Sequence, residues 1–473
     1  MAGLLAGALL FTGGLVSGAA LKSPKVRNLN VRVARDPNIL LIVTDDQRVG
    51  TLDVMPATRR YFRDGGVSFS NAFTSTPLCC PSRASIMSGR YPHNHKVERN
   101  AFNGLLDQDS VLQRYLRRDG YKTAIVGKYF NGWEETEDPP PHFDRWAIID
   151  DLDYEYVYEN FLANVDGTIV HPDGYSTEFI SNTTEGILRD FEDHDDQPWF
   201  LYVAPFSPHE PFVPEKKYEG APTRVWDGSP AVFEEDRSDK PPWVQGRAFP
   251  FEAGRSIATA QRRTLMSADD LVADLVEAMA ELDEERDTLA IFVSDNGYLW
   301  GEHGLSSKRV PYTGSIAVPL MVRWPGTLPE GIRDERLVMN IDIAPTILKA
   351  ADISPDPAFP IDGIPLLGAK PRSAMLIEYF GAFEFGGVPQ WASLRSKAFQ
   401  YVEYYSPTTG EIIFREYYDL SADPFQLVNL LADSDISNDP AISELSNELA
   451  EARACSGGGC VLGLDDAHDR RRR

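Results

Sequence analysis

Carboxylate and amide side chains follow two apolar segments of the sequence, at the point where each segment ends. Asp45 and Asp46 follow NILLIVT, and Asp295 and Asn296 follow TLAIFVS. Because parallel strands bring their carboxyl ends to one edge of a sheet, we expect these side chains to lie close together. Oxygen ligands of this kind favour calcium, with magnesium second, over zinc. Either pair alone is more typical of a turn, so the two pairs together predict the metal site.

A candidate nucleophile lies in the segment PLCCPSRASIMSGRYPHNH, which contains two adjacent cysteines. Pro81 is suited to the first turn of a helix, so Cys79 would lie at the positive amino end of that helix, beside Arg83. This arrangement would place a nucleophile inside an anion site. The residues alone leave open a cysteine phosphatase, another thiol enzyme, or a cysteine buried for structural reasons.

The same segment resembles a known family motif. The letters CCPSR at 79–83, with SG at 88–89, resemble the sulfatase pattern C-x-P-S-R-x(4)-[TS]-G, whose first cysteine is oxidised to formylglycine. The resemblance covers about residues 38–432, through NILLIVTDDQ, VGKYFNG, APFSPHEPF, SDNGYLWGEHGLSSKR, VPLMVRWPG, DIAPTIL and YYDLSADPFQLVNL. The doubled cysteine, HNH at 93–95 and GKYFN are most similar to the branch of glucosamine-6-sulfatases and heparan endosulfatases.

The resemblance implies an alkaline-phosphatase-like fold and a sulfatase acting on a sulfated sugar such as 6-O-sulfated N-acetylglucosamine. One hydroxyl of hydrated formylglycine at Cys79 would attack sulfur, giving a formylglycine sulfate intermediate, and the other would expel sulfate. A formylglycine-generating enzyme would be the maturation partner. The implied catalytic residues are Cys79, Arg83, Lys128, His209 and Lys308. The implied calcium ligands are Asp45, Asp46, Cys79, Asp295 and Asn296.

One segment departs from the family pattern. Many sulfatases have GKWH, whose histidine acts as the base for sulfate release, whereas this chain has GKYFN with Asn131. An amide can orient a group but does not take up a proton as histidine does. His95 and His303 are candidates to replace the missing base, and either is equally suited to a structural role. We predict that the substrate-binding residues are His95, Asn131, His303 and Arg309.

Two rival functions remain open at the level of sequence. A phosphodiesterase or phosphonate monoester hydrolase of the same superfamily would keep the fold, the formylglycine and the metal. A non-catalytic glycan-binding relative would keep only the fold, but it would not require Cys79, Lys128, His209 and Lys308 together. Without the resemblance, the two lysines would be interpreted as solvated charges and the histidine as a loop residue.

The elements that would position these residues follow an alternating pattern. Apolar, β-branched segments predict buried strands at 38–47, 121–128, 199–204 and 288–294. Between them lie amphipathic segments, such as SVLQRYLRRDG and residues 271–282. The alternation predicts an α/β fold with a large, mainly parallel sheet flanked by helices.

We expect the chain to divide into a catalytic α/β domain at 38–353 and a small C-terminal α+β subdomain at 365–460. The Pro-rich segment SPDPAFPIDGIP separates them, and AFQYVEYY, EIIFREYYDL and a polar helix near 441–452 belong to the second. Residues 215–254 are rich in Pro, Asp, Glu and Trp without periodicity, which indicates an ordered excursion.

The overall charge limits the partners. The chain has 71 acidic and 46 basic residues, a formal net charge of -25, which argues against nucleic acid and anionic membrane surfaces. An anionic substrate would need a local positive site, such as a metal ion with several cations around it.

The termini indicate export. Residues 1–20 carry no charge and end in small residues, which predicts a signal peptide or an uncleaved apolar anchor, although no basic residue follows Met1. Cys455 and Cys460 predict a small disulfide loop, which fits an exported protein. We therefore predict a secreted, periplasmic or cell-surface location.

Overall fold

The computed structural model of the protein describes residues 36–131, 133, 139–149, 156–193, 197–368, 371–381 and 387–463. The strands in these residues are β1 Asn38–Thr44, β2 Val67–Phe73, β3 Lys122–Gly127, β4 Arg145–Ile149, β5 Ala163–Val165, β6 Thr168–Val170, β7 Trp199–Ala204, β8 Thr288–Ser294, β9 Leu299–Trp300, β10 Ser306–Ser307, β11 Leu320–Arg323, β12 Ile332–Met339, β13 Ala374–Tyr379, β14 Gln390–Ser396, β15 Phe399–Tyr405 and β16 Ile412–Asp419. The α-helices are α1 Pro56–Thr58, α2 Cys79–Ser88, α3 Pro92–His95, α4 Leu112–Arg118, α5 Ser176–Glu192, α6 Pro242–Gln245, α7 Phe251–Glu281, α8 Thr313–Ile316, α9 Ile343–Ala350 and α10 Ile442–Ala452. The predicted signal peptide or anchor at 1–20 lies outside the described residues.

A ten-stranded sheet forms the centre of the molecule, in the order β12-β2-β11-β8-β1-β7-β3-β4-β5-β6. The five central strands β8, β1, β7, β3 and β4 run parallel, and antiparallel neighbours extend the sheet on both sides. The four strands predicted from the sequence are β1, β3, β7 and β8. The prediction of a large, mainly parallel sheet flanked by helices is confirmed.

Strand β1 shows why the central strands do not alternate apolar with polar residues. Ile39, Leu41 and Val43 pack in a core with side chains of α2, α4 and α9. Leu40 and Ile42 point to the other face and pack with α5 and α7. Since successive side chains of a strand face opposite sides, a sheet covered by helices on both faces requires apolar residues at every position.

A smaller antiparallel sheet follows, with the order β13-β14-β15-β16, and α10 packs on it through Leu445 and Leu449. The prediction of a small C-terminal α+β subdomain is confirmed, while its boundaries stay a prediction. The disulfide between Cys455 and Cys460 is present, as predicted. Among the described residues, no helix is both long and apolar enough to span a membrane.

The segment at 215–254 contains helix α6 and two single-turn helices, Lys216–Tyr218 and Pro230–Val232. Its last residues belong to α7, which begins at Phe251 and is far longer than the predicted helix at 271–282. The amino-terminal half of α7 carries Arg and Thr among its apolar residues, and this composition hides its periodicity in the sequence.

Candidate active site

The ends of two neighbouring parallel strands bring the predicted carboxylates together. Thr44 of β1 pairs with Ser294 of β8, so the residues that follow leave the sheet side by side. The backbone N–H of Asp46 donates to Asp295 Oδ1 at 3.1 Å, and Asn296 Nδ2 donates to Asp46 Oδ1 at 2.6 Å. The structure therefore assembles the cluster that the sequence predicts at this edge of the sheet.

Helix α2 places the candidate nucleophile beside that cluster. The helix begins at Cys79, whose side chain is only 1% exposed. Cys79 Sγ lies 3.6 Å from Asp45 Oδ1, and Lys308 Nζ donates to the sulfur at 2.8 Å. A helix amino terminus carries partial positive charge, so the thiol position is suited to an anionic group.

Three buried cations surround the carboxylates. The shortest ion pairs join Lys128 with Asp45 at 2.6 Å, Arg83 with Asp295 at 2.9 Å, and Lys308 with Asp46, and Arg83 also lies 3.5 Å from Asp45. Formal charges of the six side chains therefore cancel. The interpretation of Lys128 and Lys308 as solvated charges is wrong, because both are buried at the end of the sheet.

His209 lies in the loop after β7, and its side chain extends to the carboxylate cluster. Its Nε2 lies 3.7 Å from Asp46 Oδ2, and its Nδ1 lies 2.7 Å from the carbonyl oxygen of Glu210. Since a carbonyl only accepts, we assign a hydrogen to Nδ1, which leaves Nε2 facing the centre to exchange a proton.

Tyr158 is a residue of this site that the sequence analysis missed. Its hydroxyl donates to the carbonyl oxygen of His209 at 2.6 Å and so holds the histidine loop in place. Tyr158 lies 51 positions away from the histidine. Its segment has no pattern that marks it, so only the folded structure reveals the contact.

Burial and neighbouring charges set the ionisation of the centre. Burial, with a further contribution from Asp45, raises the pKa of the Cys79 thiol to about 12. Burial and the charge of Asp45 also raise the pKa of Asp295 to about 6. For Asp45 itself burial opposes ionisation, but Lys128 and other cations outweigh it and hold its pKa well below the usual range. Burial lowers the pKa of His209 to about 4.

The donor atoms of the site fit a divalent metal ion. The ligand atoms of Asp45, Asp46, Cys79 and His209 lie within 4.8 Å of one another. Asn296 Oδ1 is buried and has no hydrogen-bond partner in the part of the chain that the structure describes. A buried amide oxygen without a donor is unfavourable, and a cation would satisfy it.

Two of the predicted substrate-binding residues contact side chains of helix α2. His95 is buried against α2, with Nε2 3.0 Å from Ser85 Oγ and Nδ1 accepting from the backbone N–H of Val97. Burial lowers its pKa to about 3, so its imidazole is neutral at physiological pH. Asn131 is buried against Cys80. Substrate binding by either residue stays a prediction.

The other two lie near the β9–β10 hairpin. His303 Nδ1 is 2.8 Å from Glu234 Oε2, the ring packs 4.1 Å from that of Tyr312, and the side chain lines a cavity of about 180 Å³. Arg309 follows the buried lysine of the centre, and its carbonyl oxygen accepts from Trp391 Nε1 at 2.9 Å. Their roles in binding substrate also stay predictions.

The centre combines a buried nucleophile position, oxygen ligands for a metal and three cations at the carboxyl edge of a parallel sheet. This combination belongs to the class of hydrolase centres that act on small anionic esters. Comparison with known proteins defines the family: the sulfatase family model matches residues 37–353. The chain belongs to the sulfatase family, a family of sulfuric ester hydrolases. The model of the N-sulphoglucosamine sulphohydrolase C-terminal region matches residues 301–455.

Individual relatives agree with this assignment. The chain is 30% identical to human N-acetylglucosamine-6-sulfatase over 483 residues, covering 90% of this chain and 86% of the relative. It is 31% identical over 370 residues to the extracellular sulfatase SULF-1 homolog of Drosophila melanogaster, covering 73% of this chain and 33% of the relative. A solved structure with bound D-glucosamine-2-N,6-O-disulfate superimposes with a TM-score of 0.79 at 21% identity, covering 89% of this chain and 98% of that one. The similarity to this solved structure shows that the two chains share a fold.

Proposed function

We propose that the protein removes sulfate from a sulfated sugar, with 6-O-sulfated N-acetylglucosamine as the first compound to test. The observation that carries the proposal is the buried contact of the Cys79 position with Lys308 and Asp45. The choice of sugar is supported by the name of the human relative and by the ligand of the structural neighbour.

Cys79 would be converted to formylglycine by a formylglycine-generating enzyme. With its pKa raised to about 12, the unmodified thiol would hold almost no thiolate at neutral pH and would be a poor nucleophile. The hydrated aldehyde would supply two hydroxyl groups on one carbon, one to attack sulfur and one to allow sulfate release. Cys79 Sγ stands in for the position of these oxygens.

The cations of the chain would bind and orient the ester. Lys308 contacts the nucleophile position directly, and Lys128 and Arg83 place two more positive charges beside it. Donors fixed at this position favour the negative charge that develops on the sulfate oxygens. The same charges would hold the sulfur atom in line with the nucleophile.

His209 would give a proton from Nε2 to the leaving sugar oxygen. In the free site burial keeps its pKa at about 4, so the ring is neutral. A bound sulfate ester adds negative charge beside the ring, which raises the pKa of the imidazole and favours its protonated form. Nδ1 stays on the carbonyl oxygen of Glu210 throughout, which keeps the ring orientation fixed.

We propose calcium, rather than magnesium, as the metal, held by Asp45, Asp46, Asp295 and Asn296 with the modified Cys79. These ligands are carboxylate and amide oxygens, which suit a hard cation of flexible geometry. Because the cations and carboxylates of the site cancel, the ion would supply the net positive charge that attracts an anionic ester.

Removal of the metal is expected to abolish turnover without unfolding the protein, because the carboxylates lie at the rim of the sheet and outside its apolar core. Treatment with EGTA should remove activity, and added calcium should restore it. Asp295→Ala should lose both activity and bound metal. Metal content by atomic emission, circular dichroism and sulfate release would be measured together. Full activity after chelation, or restoration by zinc alone, would contradict an oxygen-ligand calcium site.

We propose a secreted, periplasmic or cell-surface location. The disulfide between Cys455 and Cys460 is stable in an oxidising compartment. Support also comes from the Drosophila melanogaster relative, whose name is extracellular sulfatase.

A substrate screen tests the proposed function against its rivals. Protein with confirmed formylglycine at residue 79 would be assayed with sulfate monoesters, phosphate monoesters and diesters, phosphonate monoesters, and sulfated sugars of defined length. We expect the largest kcat/KM for a sulfated sugar. Faster turnover of a phosphonate or phosphodiester would favour the related hydrolase, and glycan binding without any turnover would favour a binding protein.

Activity is expected to fall as the sugar chain lengthens, most steeply at low ionic strength. Acidic residues outnumber basic ones in the excursion at 215–254, and the whole chain carries a net charge of -25. Each additional sulfate or carboxylate outside the pocket would therefore be repelled, and salt would screen that repulsion. The measurement is kcat/KM for mono-, di- and tetrasaccharides at two salt concentrations. Faster release of internal sulfates from long heparan chains would overturn the expected exo-type action.

A further inference from the structure

The second cysteine of the CCPSR segment makes contacts of its own. Cys80 is a free thiol and fully buried. The backbone N–H of Asn131 donates to Cys80 Sγ at 2.9 Å, and the thiol donates to Asn131 Oδ1 at 3.2 Å. The backbone N–H of Cys80 donates to Asn100 Oδ1 at 3.1 Å. The thiol thus contacts both the backbone and the side chain of one residue in the loop after β3.

The same loop begins with a lysine of the active site. Lys128 Nζ donates to Asp45, and the Lys128 carbonyl oxygen accepts from Arg83 Nη1 at 3.1 Å. Cys80 and Arg83 are three residues apart on α2 and therefore lie on the same face of the helix. Arg83 contacts Lys128, the first residue of the loop, and Cys80 contacts Asn131, three residues further on.

We propose that Cys80 is a positioning residue, whose thiol fixes Asn131 and, through the short loop, keeps the Lys128 ammonium on Asp45. The inference rests on the proposed role of Lys128 in sulfate binding. A thiol can accept one hydrogen bond and donate another at the same time, whereas alanine can do neither. Without the thiol, two buried polar groups of Asn131 would lose these contacts, and the loop would have less to hold it.

The proposal accounts for two features of the sequence that catalysis alone leaves unexplained. The cysteine is doubled, although only Cys79 is a candidate for oxidation. The loop sequence is GKYFN, in which asparagine lies one residue after the position of the histidine in the GKWH of many sulfatases. In this structure the asparagine amide oxygen faces the second cysteine, so the two residues act as a pair.

The kinetic test compares Cys80→Ala, Asn131→Ala and the double variant with a sulfated monosaccharide as substrate. We expect each single variant to lower kcat about tenfold with KM within about threefold, and the double variant to lose about tenfold rather than a hundredfold. Cys80→Ser should keep most of the parental activity, because the serine hydroxyl can also accept one hydrogen bond and donate another. Thr264→Ala is the matched control: Thr264 is buried on α7, and its hydroxyl donates within that helix to the carbonyl oxygen of Gln261.

Two further measurements separate positioning from other effects. Mass spectrometry of the peptide with residue 79 gives the formylglycine content of each variant, so that kcat is expressed per modified site. Hydrogen exchange of the loop peptide with Lys128 and Asn131 should be faster in Cys80→Ala than in the parent protein and in Thr264→Ala. Exchange is read without substrate, so it remains informative if the parent protein fails to hydrolyse sulfate esters.

The proposal would be overturned by a Cys80→Ala variant with kcat within twofold of the parent value, by losses that multiply in the double variant, or by unchanged loop exchange. If Cys80→Ala does not fold, Cys80→Val gives the decision, because valine fills the space of the thiol but neither accepts nor donates a hydrogen bond. Positioning predicts about tenfold lower kcat in Cys80→Val and a mild loss in Cys80→Ser, and equal activity of the two variants would overturn it.

Discussion

Replacing Cys79 with alanine is expected to lower the turnover of a sulfate ester by more than about 10⁴-fold while the protein stays folded. Alanine cannot be oxidised to an aldehyde, so the variant would lack the nucleophile altogether. The cations around the position would remain, and with them the ability to bind the ester. The measurements are kcat with 6-O-sulfated N-acetylglucosamine, sulfate binding by calorimetry, and the thermal unfolding midpoint.

The parent protein supplies the chemical control for that experiment. When it is produced in a host with a formylglycine-generating enzyme, the peptide with residue 79 should carry an aldehyde, and Cys80 should remain a thiol. Production in a host without the enzyme should give folded protein with little activity. Fully active protein with an unmodified thiol at Cys79 would end the formylglycine hypothesis.

The strand ends of the active site could be predicted from the sequence because local signals specify them. An apolar segment such as Asn38–Thr44 can only be buried on both faces, and the carboxylates after it must then leave at the edge of the sheet. The register of β1 with β8 brings Asp46 beside Asn296. The motif starting at Cys79 adds the helix amino terminus, which the structure places on this edge.

Contacts between residues distant in sequence could not be predicted in this way. His95 and His303 both looked available for proton transfer, but packing places one against Ser85 and the other against Glu234. The burial of a lysine also depends on tertiary partners, because its sequence neighbours do not show which carboxylate will pair with it. The role of the Asn131 amide in GKYFN likewise becomes visible only through its contact with Cys80.

The excursion at 215–254 illustrates the same limit. Its sequence indicates order but gives no role, since it has no periodicity. In the structure Glu234 pairs with His303, and Trp226 packs edge-on against Trp300 at 5.3 Å. The segment therefore packs against the β9–β10 hairpin, which leads directly into Lys308, and only the folded chain displays this contact.

Replacing Lys308 with alanine is expected to lower kcat by about 10² to 10³-fold, which corresponds to roughly 3 to 4 kcal/mol of transition-state stabilisation. Lys308 Nζ contacts both the Cys79 position and the Asp46 carboxylate. Burial opposes its charge, but Asp46 and the neighbouring groups outweigh burial and raise its pKa, so the ammonium is charged at any working pH.

The effect of Lys308→Ala on stability should be smaller than its effect on turnover. Removing the ammonium leaves Asp46 with Asn296 as a donor, and a bound metal ion would balance the remaining charge. Lys308→Arg should stay impaired, because the planar guanidinium cannot replace a compact ammonium between a sulfur position and a carboxylate. Lys217→Ala is the control, since Lys217 is a half-exposed surface lysine paired with Glu215. A Lys308→Ala variant with near-parental kcat, measured beside unchanged formylglycine content, would remove Lys308 from the catalytic centre.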